Sequence, residues 1–110
     1  MVKNKLDEAK KFAHEAIKLF EQANDTSRLA ESYNLSGVIY KNSFMLDKAI
    51  LMYKKALKIT EQQKDYTLSA IISSNIATLY NELEENQKAI VFSRRFFSYP
   101  QTDTLAFDYQ

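Results

Sequence analysis

Residues 33–56 read Tyr33-Asn34-Leu35-Ser36-Gly37-Val38-Ile39-Tyr40-Lys41-Asn42-Ser43-Phe44-Met45-Leu46-Asp47-Lys48-Ala49-Ile50-Leu51-Met52-Tyr53-Lys54-Lys55-Ala56. Gly37 and Tyr40 stand three apart, and Ala49, Tyr53 and Ala56 stand four and three apart, so each set lies on one face of a helix. A small side chain lets a second helix approach closely, and a tyrosine fills the space beside it. The stretch therefore predicts two antiparallel helices that nest through these residues, joined by a tight turn at Ser43-Phe44-Met45.

The pattern recurs at an offset of 40 residues. Ala9, Ala49 and Ala89 coincide, as do the positions of Ala13, Tyr53 and Ser93 and of Ala16, Ala56 and Phe96. Leu6 falls on Leu46, Asp7 on Asp47, Gln22 on Gln62, Asp25 on Asp65, Tyr40 on Tyr80, Lys48 on Lys88 and Ile50 on Ile90. Repetition at a fixed period is the signature of a repeat architecture. The coarse map has helices over 3–24, 26–42, 46–64, 66–83 and 86–98. A lone second helix (3–24) precedes one unit at 26–64 and another at 66–98, and a further unit starts at 103–110. Asp25 with Thr26 and Ser27, and Asp65 with Thr67, offer capping oxygens at two helix starts. Glu84-Glu85-Asn86 forms the second turn, and Pro100 is a stop. The expected core is Leu35, Ile39, Tyr40, Ala49, Tyr53, Ala56, Ile76, Leu79, Tyr80 and Ala89.

Composition agrees with an all-helical chain. One glycine and one proline in 110 residues leave little of the punctuation that sheets and their turns require. Hydrophobic residues make up 45% and charged residues 26%, which suits a folded, water-exposed domain. Fifteen basic and fourteen acidic residues, for a formal charge of +1, are interspersed, which argues against nucleic acid as a partner. With no cysteine, disulfides and thiolate metal sites are excluded. No apolar run reaches the length of a membrane span, and Met1-Val2-Lys3-Asn4-Lys5 lacks the apolar stretch of a secretory signal. The compartment is not fixed by these features: a cytoplasmic placement is the default, and a periplasmic one follows if the parent protein is a membrane sensor.

Gly37-x-x-Tyr40 followed by Ala49, Tyr53 and Ala56 resembles the signature of the tetratricopeptide repeat, a pair of antiparallel helices. Ser36 stands where that family usually has leucine, and Tyr33 where it often has tryptophan. The second unit, Ile76-Ala77-x-x-Tyr80 with Ala89 and Phe96, is similar, with Ala77 for glycine and Ser93 at the usual aromatic position. The common period is about 34 residues, so the additional residues lie between Ala56 and Ala77 and lengthen both helices there. Longer units of this kind resemble those of kinesin light chains, polarity adaptors and bacterial regulators. The resemblance implies an all-α fold of antiparallel helix-turn-helix repeats stacked as a right-handed α-solenoid.

It also implies a peptide-binding concave face lined by the first helix of each pair. That places Asn34, Val38 and Lys41 (with Asn42) on one helix, and Ser74, Asn75, Thr78 and Asn81 (with Ile71) on the next. An asparagine amide both donates to and accepts from an extended peptide backbone, and Asn75-Ile76-Ala77 resembles the Asn-Leu-Gly/Ala triplet of long-unit members. The family's two-carboxylate clamp on chaperone tails needs lysine and arginine where Glu31, Ile71 and Ser74 stand, so that ligand is not implied.

No constellation of residues suggests catalysis, a metal site or a cofactor. His14 is the sole histidine and an exposed helix residue, without a second histidine or a cysteine to share a metal. Glu82, Glu84 and Glu85 sit at a helix–helix turn in solvent, and Lys54-Lys55 and Arg94-Arg95 are outer helix faces. One glycine cannot build a phosphate loop. The expected function is a module that binds a protein or peptide, the sensing or dimerisation part of a larger bacterial signalling or regulatory protein. A free-standing adaptor is the alternative and an enzyme the remote one. Neither end carries the polar cap that stacked repeats require, so a fragment of a longer chain, associating with copies of itself through its ends, is expected.

Overall fold

The computed structural model describes residues 2–100 as five α-helices: α1 (Val2–Gln22), α2 (Thr26–Asn42), α3 (Leu46–Gln62), α4 (Tyr66–Glu82) and α5 (Asn86–Ser98). Among the described residues there is no strand. The expected start of a further unit at 103–110 lies outside them.

One local device closes all four turns. Asn24, Phe44, Lys64 and Glu84 have φ of 55°, 60°, 58° and 60°, the left-handed conformation that typically ends a helix. The next residue's N–H reaches back five positions: Asp25 to Phe20 O at 3.0 Å, Met45 to Tyr40 O at 2.9 Å, Asp65 to Thr60 O at 2.9 Å and Glu85 to Tyr80 O at 2.8 Å. The left-handed residue itself donates to the carbonyl three back, as Phe44 does to Lys41. Together these two bonds make a Schellman closure. The residue that completes it also opens the next helix, its carbonyl accepting from Leu29, Ala49, Ser69 or Ala89. Where it is aspartate it adds a side-chain cap, Asp25 Oδ1 to Arg28 N and Asp65 Oδ1 to Leu68 N, each 3.1 Å.

The left-handed residues recur every 20 positions. The backbone therefore repeats as one 17-residue helix plus a three-residue turn, and the 40-residue sequence period is two such elements with different faces. This closure trims the expected helices: α1 ends at Gln22, α3 at Gln62 and α4 at Glu82. The second turn is Leu83-Glu84-Glu85, with Asn86 already the first residue of α5.

Only Asn24 among the four is a residue that tolerates a left-handed backbone well. Phe44 is 89% exposed there, so it carries the backbone strain without packing to offset it. Phe44→Gly is expected to raise stability by roughly 0.5–1 kcal/mol, read as a higher urea midpoint at unchanged slope.

The chain divides into two compact units, Met1–Ile59 and Thr60–Gln110, with the division inside α3. In the first unit, Ala13, Ala30, Ile39, Ala49, Ile50, Tyr53, Ala56 and Leu57 are buried. Gly37 in α2 faces the ring of Tyr53 in α3, and a Cβ built on it would lie 2.7 Å from Cδ1 and Cε1 and 2.9 Å from Cζ. The sole glycine is thus explained by helix approach: it permits a contact that no other residue could make. Tyr40, expected in the core, is only half-buried, with Lys48 Nζ 5.7 Å from its ring centroid. Leu35, also expected in the core, is 54% exposed. Ser32, Ser36 and Ile39 take the buried face of α2, and Leu35 lies just beyond its edge, in an outward row with Glu31, Val38 and Asn42.

In the second unit the core is Ile72, Ile76, Ala77, Leu79, Tyr80 and Ala89, with Thr60, Ser69 and Ser73. The buried hydroxyls of Ser69 and Thr60 satisfy one another at 2.8 Å, as burial of polar groups demands. Lys88 Nζ stands 5.7 Å from the Tyr80 ring centroid, repeating the Lys48–Tyr40 pair 40 residues on. Beyond α5, Tyr99 stacks on Tyr66 at 5.9 Å. Its hydroxyl donates to Glu61 Oε2 at 2.7 Å and pairs with Ser73 Oγ at 3.1 Å, while Arg95 Nε lies 3.7 Å from the same carboxylate.

Burial is the main cause that pushes the Tyr99 phenol from 10.0 up to about 12; the hydrogen bond with Ser73 opposes it, the hydrogen bond and negative charge of Glu61 add to it, and Arg95 opposes it least. Folding thus favours the protonated phenol. That contribution is whole below pH 10 and is lost as pH rises toward 12. The stability gap between the wild type and Tyr99→Phe should therefore narrow over that range in parallel denaturation series. A gap that stays constant would mean the phenol does not hold its proton in the folded state.

Candidate peptide-binding site

On α4, the counterpart of the α2 outward row is Ile71, Asn75, Thr78 and Glu82. Ile71 is 51% exposed, Thr78 and Glu82 are exposed, and Asn75 is half-buried. Ser74 and Asn81 are exposed beside this row. The row exists because α4 has two kinds of face: the interior residues Ile72, Ser73, Ile76, Leu79 and Tyr80 leave the remaining arc to polar side chains.

A cavity of about 220 Å³ opens between α4 and α5. Its lining mixes the polar Ser74, Thr78 and Asn81 of α4 and Ser93 of α5 with the apolar Ala77, Phe96 and Phe97. Thr78 Oγ1 donates to Ser74 O at 3.0 Å, which fixes the threonine rotamer at the cavity wall. The Phe96 and Phe97 rings meet edge to face at 4.9 Å and 88°, a favoured aromatic geometry. The structure thus gathers three of the expected residues, Ser74, Thr78 and Asn81, into one concave site. Asn75 lies on the adjacent row and outside the lining. Ser93, Phe96 and Phe97 were not anticipated. The one available signal was the serine at the position where the first unit has Tyr53.

The expected residues of α2 are placed differently. Val38 is half-buried and Lys41 exposed on its outward side. Asn34 is half-buried, and its Oδ1 is fully enclosed without a hydrogen-bond partner, so it is not a freely presented amide. A second cleft in the first unit, about 290 Å³, is bounded by Lys10, His14 and Glu21 of α1, Tyr33 and Tyr40 of α2, and Met52 and Lys55 of α3. Lys55 Nζ lies 5.5 Å from the Tyr33 ring centroid. Burial, with the nearby charge of Glu21, raises the Tyr33 phenol above its ordinary value. His14 is exposed at the rim of this cleft. No helix among the described residues is long and apolar enough to cross a membrane.

Residues 30–63 match the family model of the tetratricopeptide repeat. The chain is 28% identical over 94 residues, 86% of its length, to the transcriptional activator NprA of Geobacillus stearothermophilus, and it spans 23% of that protein. No solved structure matches it. The matched segment holds Gly37 and Tyr53, which meet between α2 and α3, with the buried Ala49 and Ala56 and the half-buried Tyr40. Residues 30–63 thus resemble a tetratricopeptide repeat, and the described elements are all helices, as a helical repeat of that kind requires.

Proposed function

We propose that the chain is a protein-interaction module that captures an extended peptide segment on α4, within a larger bacterial regulatory protein for which it serves as the sensing or dimerisation part. The observation that carries the binding role is the gathering of Ser74, Thr78 and Asn81 beside a concave site. These groups are uncharged and able to pair with peptide N–H and C=O groups. The likeness to a transcriptional activator supports the regulatory setting, and the 23% share of that protein leaves room for an output domain elsewhere.

The test is selection of a displayed peptide library on the 110-residue chain, followed by binding titrations. Asn75→Ala combined with Asn81→Ala should weaken the selected peptides by at least about tenfold, equivalent to about 1.4 kcal/mol. The melting temperature should hardly move, because Asn81 is exposed and Asn75 only half-buried, and amides at such positions contribute little to packing. Peptides indifferent to both substitutions would place the binding surface off α4.

A further inference from the structure

The two units carry an internal comparison at one point of contact. In the first, Tyr53 is fully buried and its ring lies directly on Gly37. Forty residues on, Ala77 replaces the glycine and Ser93 replaces the tyrosine. Alanine adds one methyl group, whereas serine removes a whole phenol ring, so the exchange leaves space. That space is observed: Ala77 and Ser93 both line the 220 Å³ cavity.

We propose that this cavity is a slot for one aromatic side chain, tyrosine or phenylalanine, of a bound extended segment, seated beside Ala77 in the space that Ser93 leaves open. The inference rests on the peptide-binding reading and names what that site selects. Four features support an aromatic occupant. The slot is smaller than the roughly 300–1,000 Å³ of small-molecule sites, the scale of a single side chain. Its lining carries no charged residue, so a neutral group fits it. Phe97, 81% exposed and edge-on to Phe96, presents a ring against which another ring can stack. Thr78, Asn81 and Ser93 in the same lining offer partners to a phenolic hydroxyl, which the buried hydroxyl of Tyr53 lacks in the first unit.

The experiment titrates isotope-labelled 110-residue chain with capped Gly-Gly-Xaa-Gly-Gly peptides, where Xaa is tyrosine, phenylalanine, leucine or alanine. NMR shifts at Ala77, Thr78 and Ser93 are the readout. The aromatic peptides should shift these signals and bind about tenfold more tightly than the leucine and alanine peptides. Ser93→Tyr, which fills the slot from within, should abolish the shifts, and adding Ala77→Gly, which restores the Gly37–Tyr53 pairing of the first unit, should raise the melting temperature above that of Ser93→Tyr alone. Phe97→Ala, at an exposed position that folding does not need, should weaken the tyrosine peptide severalfold. Absence of shifts with the tyrosine peptide overturns the slot, while the library selection still decides peptide binding. Equal binding of all four peptides, or full binding by Phe97→Ala and a folded Ser93→Tyr, overturns aromatic selection and leaves the peptide-binding reading standing.

Discussion

Gly37→Ala is expected to destabilise the protein by about 1–3 kcal/mol, the range for overpacking a filled core. In an unobstructed helix the same change would stabilise by about 1 kcal/mol, so the sign of the effect is itself diagnostic. It is set by the 2.7 Å approach that the new methyl would make to two Tyr53 ring carbons. The ring cannot retreat without moving its neighbours, because Tyr53 is fully enclosed. Tyr53→Ser alone removes the ring and leaves a cavity, at a cost of about 3–5 kcal/mol. The double variant reproduces the Ala77–Ser93 pair of the second unit. It should cost less than the two single changes together, with a coupling within the roughly 0.5–3 kcal/mol seen for residues in contact. Urea denaturation of the four proteins measures the cycle. Strict additivity would show that the methyl and the ring do not compete for the same space.

Ile76→Ala carries the second large effect, about 2–5 kcal/mol. Ile76 is fully buried in the second unit, and a core of close-packed side chains collapses only partly around a deleted group. A domain of this size has on the order of 5–15 kcal/mol in total, so the variant loses a large share of its stability and unfolds at distinctly lower urea. Thermal or urea midpoints decide the matter. A loss below about 1 kcal/mol would mean that the site relaxes and the second unit is loosely packed.

Much of the fold was legible because helices are made by short-range interactions. The apolar spacing of Ala49, Tyr53 and Ala56, the aspartates at 25 and 65 and the near absence of glycine and proline all act within one or two turns of chain. They located five helices to within two residues at each end. The missed ends have a local cause too. The left-handed residues that close the three overrun helices are asparagine at 24, lysine at 64 and glutamate at 84, none of them the glycine that most plainly marks a helix stop. Leu35 was misplaced for a different reason. It lies at the margin of the buried arc of α2, where hydrophobicity alone does not tell a core residue from one on the outward row.

The candidate site was legible in its chemistry and not in its shape. Asparagine, serine and threonine on one arc of α4 follow from helical spacing. That Ser74, Thr78 and Asn81 border a cavity depends on what α5 brings opposite them, and Ser93, Phe96 and Phe97 are distant in sequence. The Tyr99 clasp likewise joins residues from the end of α3, from α4 and from beyond α5 through bonds spanning 26 and 38 positions. The sequence by itself determined the helices, their period and the nesting of glycine against tyrosine, because backbone hydrogen bonding and side-chain periodicity act along the chain. Only the tertiary structure decided which arc stays open and where an unfilled space remains, because burial depends on the volumes of side chains that approach from other helices.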